Sequence, residues 1–67
     1  MTDFKNKASF EGAKAIRATP ACLVCVIDGE EVLVPESQID DDSEVYEVGG
    51  EGTLVVSEWW AMQRGLV

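Results

Sequence analysis

Apolar and polar residues alternate along this chain in short runs, and helical spacing is never sustained beyond a turn or two. The strongest runs are residues 21–27 and 32–34, rich in Val, Ile and Leu, with Asp28-Gly29-Glu30-Glu31 between them. Asp-Gly flanked by two such runs predicts a β-hairpin. A two-residue or a four-residue turn fits equally well. Either choice puts Leu23, Cys25 and Ile27 on one face with Val32 and Val34, and Val24, Val26 and Leu33 on the other. Pro35 ends the second strand because it has no amide hydrogen to donate. Glu36-Ser37-Gln38-Ile39 then reads as one helical or 3₁₀ turn that returns Ile39 to the core.

The flanking patterns are weaker. Residues 12–19 predict a strand through Ala13, Ala15, Arg17 and Ala18, with Ile16 out of step, and Pro20 marks a bend or a sheet edge. Residues 1–9 are polar and read as a flexible arm, frayed or in one helical turn, which Phe4 and Phe10 would anchor. Glu44-Val45-Tyr46-Glu47-Val48 predicts a short strand with Tyr46 and Val48 on one face. Gly49-Gly50-Glu51-Gly52 supplies a tight connection to a last strand, Thr53-Leu54-Val55-Val56. Ser57 is an N-cap, Glu58 complements the helix dipole, and Gly65 suits the residue that stops a helix spanning 59–64, with Leu66 folded back on Trp60. The sum is a single domain over residues 10–67, mainly β. Its outline is a small SH3-like or OB-like five-stranded barrel with a short C-terminal helix. A strongly bent or open antiparallel sheet is the competitor.

Charge narrows the partners. Residues 28–58 carry eleven carboxylates and no Lys or Arg, while Lys5, Lys7, Lys14 and Arg17 precede them and Arg64 follows, for a net charge of −8. A negative potential over most of the chain repels nucleic acid and anionic lipid and favours a basic protein surface. No apolar run reaches the length needed to cross a bilayer, and the first residues lack the apolar stretch of a secretory signal. A cytoplasmic location is therefore expected, with the chain a monomer or weak homo-oligomer.

The chemistry-bearing residue types point away from catalysis. There is no His, so Ser37, Ser43 and Ser57 have no imidazole to activate them. Cys22 and Cys25 have C-x-x-C spacing, but zinc would need two further ligands, and in an extended segment the two thiols point to opposite faces. Reduced thiols packed as small apolar groups are the better reading. Asp40-Asp41-Asp42-Ser43-Glu44 invites a cation, but the order of ligands in a calcium loop is missing and a solvated acidic loop is favoured. No enzyme activity, metal or other cofactor is expected.

Trp59 and Trp60 cannot face one way on a short helix. The reading places Trp59 in the core with Met62 and Leu66 and leaves Trp60 half exposed as a candidate binding anchor; the alternative is that both rings only lid opposite sides of a small barrel.

Several positions resemble a group of small modules of bacteriophage and prophage genomes. They are an Ala-Ile-x-Ala-Thr-x-Ala-x-Leu-Val start at residues 15–24, Val-Pro-x-Ser-Gln-Ile at 34–39, Val-Ser-x-Trp at 56–59, and Gly65-Leu66. Leu33 stands where an aromatic often stands in that group. The resemblance implies a phage-type accessory acting in the bacterial host cytosol, and no reaction.

Two functions follow as expectations. One is a non-catalytic acidic module or inhibitor that docks on a basic surface of a larger partner. In a phage setting that partner would be a host nucleic-acid-binding enzyme, with the acids imitating a phosphate backbone. Tyr46, Trp60, Asp40, Asp41, Asp42 and Glu44 are its candidate contact residues. The other is a single-stranded nucleic-acid-binding accessory of phage replication that stacks bases on Tyr46 and Trp60.

Overall fold

The computed structural model describes residues 6–66. Four strands form one antiparallel sheet: β1 (Lys7–Ala18), β2 (Cys22–Ile27), β3 (Glu30–Pro35) and β4 (Glu51–Ser57), in the order β3-β2-β1-β4. A 3₁₀ turn, Glu36–Gln38, follows β3, and helix α1 (Glu58–Gln63) follows β4.

The hairpin between β2 and β3 has the two-residue turn. Ile27 pairs with Glu30, and both turn residues have positive φ, 51° at Asp28 and 81° at Gly29. Positive φ at both positions defines a type I′ turn, whose twist matches that of the strands it joins. The predicted faces are those observed. Leu23, Cys25, Ile27, Val32 and Val34 are all in the core cluster, and Leu33 is exposed. Val24 lies outward yet is buried. The ion pair between Arg17 and Glu31, 3.3 Å long, spans β2 from β1 to β3 on the face that carries Val24 and Val26.

The first strand is longer than its pattern predicts. Lys7 already pairs with Ser57, Ala8 with Val56 and Phe10 with Leu54, so residues 7–9 belong to the sheet and not to an arm. Residues 1–5 and the proposed anchor Phe4 lie outside the described residues. Two irregularities hide the period. Between Phe10 and Ala13, β1 has one residue more than β4, and between Ala15 and Arg17 it has one more than β2. Each extra residue shifts the phase, which is why Ile16 broke the alternation; such bulges also bend a strand and increase its twist. The N-terminal half of β1 pairs with β4, the C-terminal half with β2, and Lys14 pairs with both.

The predicted fifth strand is the main correction. The hydrogen-bonded sheet of the described residues is open and has four strands, and none of residues 44–48 belongs to a strand. A single isolated bridge, Ile39 to Val56, joins the outer edge of β4 to the chain leaving the 3₁₀ turn. Beyond it, side chains do what strand carbonyls would have done. The Val55 N–H donates to Ser43 Oγ at 3.1 Å, and the Thr53 N–H donates to Glu44 Oε1 at 2.8 Å. The edge is thereby covered without a regular ladder, which leaves less of it for another chain to pair with. Tyr46 and Val48 do share a side, and it is the outer one. Val45 is fully buried, while Tyr46 and Val48 are about half exposed.

Helix α1 begins and ends as predicted. Ser57 Oγ accepts from the Trp60 N–H at 3.3 Å. At the other end Leu66 N–H donates to Ala61 O and Gly65 N–H to Met62 O, the paired bonds of a Schellman stop. Leu66 packs against the core. Among the described residues no helix is long and apolar enough to cross a membrane.

Candidate protein-binding surface

The segment 36–51 carries most of the candidate residues, and it is fastened along its length. Glu36 N–H donates to Ala21 O, Asp40 N–H to Val55 O, and Glu44 N–H to Thr53 O, all within 3.0 Å. Its far end is tied to β1 by reciprocal bonds, Gly49 N–H to Ala15 O and Ala15 N–H to Gly50 O, each 2.9 Å. Ser43 Oγ accepts from the Val45 and Val55 N–H groups and donates to Val45 O, so this buried hydroxyl is fully used. Val45, locked between these bonds, is the apolar peg.

The acidic run divides by role. Asp40 is only 1% exposed. Its Oδ1 accepts from the Asp42 N–H at 2.9 Å and lies 3.3 Å from Lys7 Nζ. Asp42 is exposed and pairs with the same ammonium at 3.1 Å. Glu44 is exposed, but its carboxylate is held over Gly52, whose φ is 141°; a Cβ there would sit 2.7 Å from Oε1. Asp41 is exposed with no ion pair among the described residues. Asp40 and Glu44 thus build the loop, and Asp41 and Asp42 face solvent. Of the eleven carboxylates in residues 28–58, Asp40 alone is buried.

Among the described residues, three of the basic side chains are each paired with acids rather than gathered into a groove. Lys7 is tied to Asp40 and Asp42, Lys14 lies 4.0 Å from Glu51, and Arg17 pairs with Glu31.

The two tryptophans exchange the roles expected of them. Trp60 is 7% exposed and part of the core, whereas Trp59 is 65% exposed. At about 100° per residue, Glu58, Met62, Trp59 and Gln63 occupy one continuous arc of α1, and Trp60 and Ala61 fall on the other side. Trp59 and Met62 do share a face, but it is the outer one, flanked by Glu58 and Gln63. Those two polar neighbours were the signal that would have placed Trp60 inside. Trp60 is therefore neither a docking anchor nor a stacking platform, and Trp59 takes its place as the exposed aromatic.

Tyr46, 52% exposed, lines an open cleft of about 330 Å³ with Glu36, Ser37 and Ile39. The last three were absent from the sequence-based candidates. The 3₁₀ turn brings them beside Tyr46, a proximity no local pattern announces. Cys22 and Cys25 are both free, and burial raises the Cys25 thiol above its ordinary value of 9.0. No family model, no curated protein and no solved structure matches this chain.

Proposed function

We propose that this protein is a non-catalytic, acidic protein-binding module that docks on a basic surface of a larger partner. The observation that carries the reading is the solvent exposure of ten of the eleven carboxylates in residues 28–58, together with that of Trp59 and, in part, Tyr46. Complementary charge steers association and selects the partner, while an exposed Trp is the residue type most enriched among interface hot spots. In the phage setting that the resemblance implies, the partner is a host nucleic-acid-binding enzyme whose phosphate-binding surface meets these acids. An SH3-like fold belongs to the same reading, supported by the way the 3₁₀ turn carries the chain from β3 at one end of the sheet to β4 at the other.

The test is affinity capture at low salt, followed by titration of the captured partner at rising ionic strength. Association is expected to weaken steeply between about 50 mM and 0.5 M salt, because the Debye length shrinks to a few Å over that range. An affinity that does not change with salt overturns the proposal.

A further inference from the structure

We infer that the cleft between the 3₁₀ turn and Tyr46 is a socket for a single arginine side chain of the partner protein. This rests on the protein-docking reading and names the residue it recognises. The cleft, about 330 Å³, is lined by one carboxylate (Glu36), one hydroxyl (Ser37), one aliphatic side chain (Ile39) and one phenol ring (Tyr46). That volume is at the small end of ligand sites, suited to one long side chain and not to a dinucleotide-sized cofactor.

The lining also selects the chemistry. It contains an anion and an aromatic face but no cation, and the same segment exposes Asp41, Asp42, Glu44 and Glu47. An anionic ligand would be repelled. A neutral one would gain nothing from the charge of Glu36, which is exposed. A planar guanidinium meets both requirements: it stacks on an aromatic ring and donates paired hydrogen bonds to a carboxylate, with its methylene stem on an aliphatic floor. An ammonium offers a point charge and no plane, so lysine is the weaker occupant. The site is also pre-formed. Glu36 N–H is bonded to Ala21 O and Ile39 N–H to Glu36 O, and buried Val45 holds the backbone next to Tyr46.

The experiment is a heteronuclear NMR titration of the full chain with N-acetyl-arginine amide, with the lysine amide and the neutral isostere N-acetyl-citrulline amide as comparisons. Saturable shifts confined to residues 36–39 and 46 are expected with arginine, weaker ones with lysine and none with citrulline. Tyr46→Ala and Glu36→Gln, both at exposed positions, should each reduce arginine affinity roughly three- to tenfold, the size of a lost cation–π contact or charged hydrogen bond. Shifts spread evenly over all the acids and unchanged in Tyr46→Ala overturn the socket but leave salt-dependent docking standing. Equal response to citrulline, or no response to arginine, also overturns it. Loss of salt-dependent capture of any basic partner removes the docking reading itself, independently of this titration.

Discussion

Replacing Trp60 with alanine removes the largest side chain that α1 sets into the core, and the expected cost is about 3–5 kcal/mol. For a chain this small that is most of its stability, and urea unfolding should find the variant largely unfolded. Trp59→Ala, one position away, should change stability by no more than about 0.5 kcal/mol while weakening partner capture roughly tenfold or more. The pair of measurements checks the assignment of the two indoles directly. Gly52→Ala is expected to cost about 1–3 kcal/mol. The new Cβ would drive Glu44 away from the Thr53 N–H and hold an L-residue at a φ of 141°. Burial also sets a pH dependence. Because the folded state holds the Cys25 proton more tightly, the unfolded chain binds fewer protons above pH 9.0, and stability should fall as pH rises through and beyond that value. Iodoacetamide at neutral pH should label half-buried Cys22 and spare Cys25 until the chain unfolds.

The edge of β4 depends on two side chains, and each can be tested as part of that element. Ser43→Ala leaves the Val55 N–H without its acceptor, at an expected cost of about 1–3 kcal/mol, and amide exchange at Val55 and Val45 should quicken before that of β2. The same elements mark how far the sequence could be read. The β2–β3 hairpin, the 3₁₀ turn and both ends of α1 were legible because each is decided by residues a few positions apart: Asp28-Gly29, Pro35, Ser57 and Gly65. The segment 44–48 was not. Val45, Tyr46 and Val48 alternate as a strand would, and only the distant Ser43 and Glu44 contacts to β4 decide against a ladder. The early start of β1 was hidden by two bulges that break its period. At the site, Tyr46 was legible as a candidate contact residue, whereas the cleft beside it is made by residues that are neighbours only after folding.

For the molecule as a whole, a charge of −8 on so small a body works against compaction. Added sodium chloride should therefore raise the thermal midpoint by several degrees between about 10 mM and 0.5 M; 1 kcal/mol corresponds to roughly 4–8 °C at this size. The same salt should release a basic partner, so stability and binding are expected to move in opposite directions with ionic strength, a signature that a mainly apolar interface would not give. A midpoint that falls or stays level with added salt would contradict the picture of an unneutralised acidic exterior.

β1 lies between β2 and β4, so the sheet acquires its fourth member only when residues 51–57 have left the ribosome. Until then the nascent chain holds a three-stranded meander, with Lys7, Ala8, Ser9 and Phe10 unpaired along one side. A translational stall, or a stop codon before Glu51, would thus release a product with a naked half-strand, prone to pair with its own siblings and open to proteolysis.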